Sequence, residues 1–272
     1  MSVYQAEKGS RLDRGIKSVW TDQELKPDQI VLVEDGLLND GMYQVIEKWR
    51  EVIGSKLVVI KNEGNIGLTK SLNRGIEYVN SQLVARMDSD DESMPERFML
   101  QHQYFIEHPE VDIIGGSMEM VDENGHTKYI RHYPLTHMEI CRKMPKVCPF
   151  GHPAVMMKTS VFKETGLRYD ERYKNGQDIA LWFTAMAAGC RFGNVPEVVL
   201  RFSESRDSYK RRGKVRAKNE FLAWMRGIYK NDGLFTYKYI YPMGRLVVRS
   251  LPTWIIRRYY ASGIYQKIYS AR

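Results

Sequence analysis

Three carboxylates, Asp88, Asp90 and Asp91, fall within four positions at the end of a short apolar run, Leu83-Val84-Ala85-Arg86-Met87. Like charges that close disfavour one another's ionisation, and a divalent cation bridging them to an anionic substrate would offset the repulsion. The same residues also suit a solvated cap on the helix that opens near Pro95-Glu96-Arg97-Phe98. Asp178 stands at the start of an apolar helical stretch carrying Ile179, Leu181, Trp182, Ala185 and Met186. There the helix dipole and free N–H groups favour a carboxylate, which is either an N-cap or a base ionised at neutral pH. His152, in the turn Phe150-Gly151-His152-Pro153, is a lone imidazole, a residue more often structural than catalytic.

These residues sit at the ends of recognisable elements. Leu12, Ile16 and Val19 share one helical face, and Gln29-Ile30-Val31-Leu32-Val33 is a strand-length apolar run closed by Glu34-Asp35-Gly36. A second helix carries Tyr43, Ile46, Trp49 and Val52 or Ile53, and Lys56 to Ile60 is the next strand. The turn Asn62-Glu63-Gly64-Asn65-Ile66-Gly67 then leads into a helix through Leu68, Leu72 and Ile76, with Lys70 in its first turns. A helix start of this kind can hold an anion on backbone N–H groups, or simply make a tight connection. Its glycines match neither the P-loop nor the dinucleotide fingerprint. Successive βα units predict an α/β fold with a mainly parallel, doubly wound sheet, whose ligands bind at the carboxyl ends of the strands. Residues 117–150, with a turn at Asn124-Gly125, predict a hairpin and a mixed second half.

The net charge of +8 conceals an asymmetry. Residues 201–272 hold 17 Lys and Arg against 4 Asp and Glu, a net +13, which leaves residues 1–200 at −5. Lys210, Arg211, Arg212, Lys214, Arg216 and Lys218 crowd together, followed by Tyr237, Tyr239, Tyr241, Trp254, Tyr259, Tyr260, Tyr265 and Tyr269. Basic residues interleaved with polar-tipped aromatics suit an anionic membrane surface, or a helical extension packed on the core through its aromatics. No nucleic-acid module accompanies the charge, so a nucleic-acid partner is not expected. The expected division is a domain over 1–208 and a basic, aromatic, helical extension over 209–272. Cys141, Cys148 and Cys190 have no metal-pair spacing and read as reduced thiols of a cytoplasmic protein. No uninterrupted apolar stretch is long enough for a membrane span, and the polar residues from Gln5 to Arg14 do not form a secretory leader. Met1 to Tyr4 has the character of the tail of a strand.

The order of these landmarks resembles glycosyltransferase family 2, which has the GT-A fold and uses nucleotide-diphosphate sugars. The matching segments are Ser2-Val3-Tyr4 with Ala6-Glu7, Val31 to Gly36, Asn65-Ile66-Gly67 with Asn73-Arg74-Gly75, and Arg86 to Asp91. Pro95-Glu96-Arg97, His152 to Val155 and Gln177 to Trp182 follow in the same order. The resemblance implies donor and nucleotide contacts from Tyr4, Glu7, Asp35, Asn65, Lys70, Asp88 and Arg97. It implies Asp90 as the ligand of Mn²⁺ or Mg²⁺, Asp178 as the base on the acceptor hydroxyl, and His152, Gln177 and Trp182 in the acceptor sugar pocket. In the family an acid usually precedes that base, where this chain has Gln177.

The Gln-x-x-Arg-Trp signature of processive synthases is absent, so the chain is closer to enzymes of bacterial O-antigen, capsule and exopolysaccharide synthesis that add one sugar per encounter. The implied activity is inverting, metal-dependent transfer from a nucleotide-diphosphate sugar, a UDP-sugar by preference, to a polyprenyl-diphosphate-linked saccharide. It would take place peripherally at the inner face of the plasma membrane. The alternatives are a sugar nucleotidyltransferase and a degenerate membrane-associated nucleotide-sugar binder; the sequence leaves the sugar, the linkage and the oligomeric state open.

Overall fold

The computed structural model describes residues 1–122, 124–203 and 214–250. Its first half is three βα units: β1 (Ser2–Val3), α1 (Gly9–Trp20), β2 (Ile30–Glu34), α2 (Asp40–Ile53), β3 (Leu57–Lys61) and α3 (Leu68–Glu77). The strands pair in parallel in the order β1-β2-β3, with Ile30 opposite Leu57 and Ser2 opposite Val33. Burial of Leu12, Ile16 and Val19 fixes α1 on the sheet. The Asn39 carboxamide caps α2 by accepting the Met42 N–H at 3.1 Å, and the helix buries Met42, Ile46, Trp49 and Ile53 while Val52 faces outward.

The second half is mixed, as the alternation after residue 117 suggests. β4 (Leu83–Ala85) pairs antiparallel with β8 (Met156–Lys158), which pairs antiparallel with β6 (Ile113–Val121). β6 runs parallel to β9 (Phe192–Ser203), and β9 is joined by the short β5 (Glu92–Ser93). β7 (Thr127–Arg131) folds back on β6 in the expected hairpin. The helices of this half are α4 (Arg97–Glu107), α5 (His137–Lys143), α6 (Ser160–Glu164) and α7 (Gln177–Ala187).

Residues 214–250 form α8 (Lys214–Asp232), a 3-10 turn at Tyr237–Tyr239 and α9 (Ile240–Ser250). α8 is fastened to the second core by the buried side chains of Ala223, Trp224 and Ile228. The Trp224 indole N–H donates to the Met144 carbonyl at 3.0 Å, and the Asn231 amide donates to the Phe183 carbonyl at 3.0 Å. Leu234, Phe235, Tyr237, Ile240, Met243 and Val247 are exposed, Phe235 to 96 %. Lys210, Arg211 and Arg212, and Trp254, Tyr259, Tyr260, Tyr265 and Tyr269, lie outside the described residues. Among the described residues no helix is long and apolar enough to cross a membrane.

If α8 is part of the folded body, Trp224→Ala should cost about 3–5 kcal/mol of unfolding free energy, the range for deleting a buried indole. Urea denaturation checks this; a loss below about 1 kcal/mol, within the range of an ordinary surface substitution, would separate α8 from the cooperative unit.

Candidate active site

The carboxyl ends of β2 and β4 and the N-terminus of α7 carry the acids singled out above. Asp35, directly after β2, is buried, and both its oxygens are engaged. One accepts from the Ile66 N–H (2.8 Å) and the Asn62 amide (3.1 Å), the other from the Gly67 N–H (2.9 Å). Asp35 therefore ties the end of β2 to the turn before α3. That tie depends on Gly36, whose φ is +87° and whose added Cβ would lie 2.8 Å from the Asn65 nitrogen. Asn65 and Lys70 are exposed on this turn and the first turn of α3, and Tyr4 is exposed on the loop after β1, with Glu7 half-buried beside it.

The acid loop after β4 is organised by Arg86. This guanidinium is almost fully buried and grips the half-buried Asp88 with two nitrogens, at 2.7 and 2.5 Å. Burial opposes its charge, but Asp88, and at longer range Tyr169 and Asp91, outweigh burial and raise its pKa. Asp90 is half-buried and meets Arg11 of α1 at 3.8 Å; burial first, then the Asp88 charge, raises its pKa. Asp91 is buried, accepting the Ser203 N–H at 3.2 Å on one oxygen and leaving the other without a partner. Burial and the charges of Asp88 and Asp90 push its carboxyl well above the usual range. It also faces β9 more than the cleft, in keeping with a structural role.

On the other side, Asp178 is the second residue of α7, with Gly176 and not Asp178 at the N-cap, and is half-buried. Burial raises its pKa first; Glu220 of α8 adds to the rise, while Arg86 and Arg216 oppose it. His152 shares a 2.8 Å hydrogen bond with the Tyr169 hydroxyl, and burial and Arg86 hold its pKa well below the usual imidazole value, so it is neutral at pH 7. The Gln177 side-chain oxygen is buried without a partner.

Two expected contacts need correction. Arg97, expected at the donor, is fully buried beneath the acid loop. Its guanidinium donates to the carbonyls of Arg86 (2.8 Å) and Val155 (3.3 Å) and to Gln101 (3.1 Å), and burial pulls its pKa down to about 9. It holds the backbone from which Asp88 projects instead of facing a nucleotide. Trp182, expected to line the acceptor pocket, is likewise fully buried, packed on Phe150 and meeting His152 edge-on. Sequence reading also left out Glu220, Arg216 and the central part of Arg86. Arg86 had a signal, a cation at the end of an apolar strand beside acids, whereas Glu220 and Arg216 come from a helix about forty residues further on and leave no local mark.

Among the described residues no three His, Cys, Asp or Glu side chains converge into a closed metal cage. The donor set fits a cation shared with a ligand. Asp88 is committed to Arg86 and Asp91 is turned inward, which leaves Asp90, held only by a long ion pair, as the carboxylate free to bind one. A hard divalent ion held by one carboxylate and completed by substrate phosphates is an ordinary arrangement for Mg²⁺-type sites.

A parallel sheet and a mixed sheet with the acids at the strand ends define a GT-A glycosyltransferase fold. The chain belongs to glycosyl transferase family 2, whose model its residues 1–166 match. It is 30 % identical over 261 residues to the amylovoran biosynthesis glycosyltransferase AmsE of Erwinia amylovora, covering 96 % of each chain. It is 27 % identical over 254 residues to the UDP-Gal:alpha-D-GlcNAc-diphosphoundecaprenol beta-1,3-galactosyltransferase of Escherichia coli, covering 93 % of this chain and 90 % of that one. Among solved structures, S. aureus TarS 1-349 in complex with UDP-GlcNAc superposes with a TM-score of 0.65 at 19 % identity, over 91 % of this chain and 71 % of that one.

Gly36→Ala should cost about 1–3 kcal/mol, the penalty of a strained backbone, because the methyl meets the Asn65 backbone at a positive φ. Thermal unfolding reads the loss, and hydrogen exchange should show the Ile66 and Gly67 amides losing protection first. An unchanged melting curve would mean that the Asp35 tie does not organise this corner.

Proposed function

We propose that this glycosyltransferase transfers a single sugar, with inversion, from a UDP-sugar to a polyprenyl-diphosphate-linked saccharide during surface polysaccharide synthesis. The acceptor would be met at the cytoplasmic face of the membrane. The main support is that one buried cation, Arg86, acts on acids from both halves, Asp88, Asp90 and Asp91 on one side and Asp178 on the other. A donor diphosphate and an acceptor hydroxyl would thus meet in one cleft. The printed names of the two relatives, one in amylovoran biosynthesis and one acting on a diphosphoundecaprenol acceptor, agree with this reading.

In this reading Tyr4, Glu7, Asp35 and Asn65 surround the nucleotide, Asp88 stands on its ribose side, and Lys70 offers charge near the diphosphate. Asp90 would hold a divalent cation, Mn²⁺ or Mg²⁺, whose positive charge would offset that of the leaving nucleoside diphosphate. Asp178 takes the proton of the acceptor hydroxyl while that oxygen bonds to the anomeric carbon from the face opposite the diphosphate. The anomeric C–O bond breaks at the same time, and its electron pair departs with the UDP oxygen. Gln177 and the neutral His152 orient the acceptor. The basic charge of residues 201–272 and the exposed apolar side chains of Leu234, Phe235, Ile240, Met243 and Val247 would keep the enzyme at an anionic leaflet.

Asp178→Asn should lower kcat at least about 100-fold, the lower end for removal of a general base, with UDP affinity by calorimetry unchanged. Because the Asp178 pKa is raised, the wild-type rate should climb with pH through a limb above the ordinary carboxylate range, and the variant should lack that limb. Turnover surviving the substitution with its limb intact would remove Asp178 as the base. Released UDP supports transfer, whereas released pyrophosphate would mean a nucleotidyltransferase, and binding without turnover a degenerate binder.

Asp90→Ala should abolish metal-dependent activity without lowering the melting temperature; full activity in excess chelator would refute the metal role. Since α8 is built into the core, the membrane surface is best tested by Phe235→Ser with Ile240→Ser. That pair should reduce binding to anionic liposomes severalfold while leaving the fold intact, and undiminished binding would place the interface elsewhere.

A further inference from the structure

Two glycines let α8 lie directly against α7. Glu220, Ala223, Trp224, Gly227 and Ile228, all buried, recur three and four apart on one face of α8. A Cβ on Gly227 would collide with the Phe183 ring of α7. A Cβ on Gly176, the N-cap of α7, would stand 3.2 Å from the Glu220 Cα and 3.3 Å from its Cγ. Asn231 closes the far end of this contact on the Phe183 carbonyl, and Glu220, 6 % exposed, closes the near end on Gly176, two residues before Asp178.

Helix packing alone does not call for a carboxylate there, because desolvation opposes its charge. Its partner within α8 is Arg216, whose Nε–H donates to the Glu220 carboxylate at 2.8 Å. The Arg216 side chain is 40 % exposed and that of Glu220 only 8 %, so the pair turns its negative member inward and its positive member toward solvent. Both act on Asp178: burial raises the Asp178 pKa most, Glu220 raises it further, and Arg86 and Arg216 lower it. Tyr169, after α6, and Cys148, before the His152 turn, also lie within reach of the Asp178 charge, but burial pushes both upward and leaves them neutral near pH 7. His152, hydrogen-bonded to Tyr169, is neutral as well.

We propose that Glu220 is a positioning residue of the acceptor half, a second carboxylate delivered by α8 beside Asp178, and that Arg216 is the counter-ion that limits its charge. The inference rests on Asp178 being the base of the sugar transfer. A base works best when its proton affinity is matched to the pH of the reaction, and a like charge close by raises that affinity. Arg86, which the acid loop requires, acts on Asp178 in the opposite direction, and Glu220 offsets it from α8. The close seating at Gly176 is what brings that charge to the base, so α8 belongs to the site as well as to the core.

The test uses the full chain, isotope-labelled at its aspartate carboxyls and titrated by carbon NMR; the Asp178 signal is the one lost in Asp178→Asn. Glu220→Gln, which keeps the shape of the side chain, should lower the midpoint of that signal by about half a pH unit or more. Glu220→Met, an apolar side chain suited to a buried position, should do the same, so either variant decides. Glu220→Asp, which keeps the charge, should restore the midpoint, and Arg216→Met should raise it. The acid limb of kcat/KM should follow: at a pH on the limb, Glu220→Gln should retain about threefold more of its plateau rate than the wild type, the equivalent of half a pKa unit. A Glu220 that only packs would lower the melting temperature and leave both midpoints in place, and that result would overturn the proposal, as would an Arg216→Met shift of the same sign as Glu220→Gln. A limb that survives in Asp178→Asn would instead remove the base reading alone, because the carboxyl titration is read without turnover.

Discussion

The buried charge of Arg86 is the constraint around which both halves of this structure are arranged. A guanidinium taken out of water costs several kcal/mol unless its geometry and partners are good. Here the two-nitrogen grip on Asp88 supplies the partner, and the backbone of Arg86 is pinned by its own N–H to the Val155 carbonyl (2.9 Å) and by Arg97 on its carbonyl. With the cation fixed, its field reaches outward. It favours the ionised forms of Asp90, Asp91 and Asp178, and it disfavours protonation of His152 and of the Met1 amine. One residue thereby biases the protonation of groups drawn from β1, the acid loop, the His152 turn and α7, each of which is shifted first by its own burial.

Arg97 shows how that arrangement is supported. Its own charge is opposed by burial and by Arg86, yet it supplies the partner of the buried Arg86 carbonyl and a second donor to the Val155 carbonyl at the joint between β4 and β8. Two adjacent buried cations need acids nearby: Asp88 pairs with Arg86, and the charge of Asp91 favours both guanidinium groups.

What could be read from the sequence was local. The runs that became β2 and β3, the four-and-three spacing of Leu12, Ile16 and Val19, and the hairpin at Asn124-Gly125 all carry their pattern within a dozen residues. The acids at element ends were visible for the same reason. Arg97 and Trp182 were misplaced because local pattern gives the element but not the depth: a charged residue at a helix start reads as exposed, and a tryptophan beside an acid reads as a pocket wall. Glu220 approaches Asp178 only because Gly176 lets α8 come close, its added Cβ lying 3.2 Å from the Glu220 Cα. Such a meeting depends on tertiary packing. The basic tail divided in the same way, Trp224 going into the core and Phe235 to the surface, although the composition of the segment treats them alike.

The acid loop therefore carries an electrostatic cost within the fold itself. Desolvation and mutual repulsion raise the pKa values of Asp90 and Asp91, and Arg86 and Arg11 offset only part of that cost. α1 meets the same loop. It carries Arg11, and Gly15 lets it lie against the backbone of Ser89, 2.8 Å from where a Cβ would stand. The first helix of the sheet and the loop at the end of β4 thus meet through contacts that no single segment of the sequence contains.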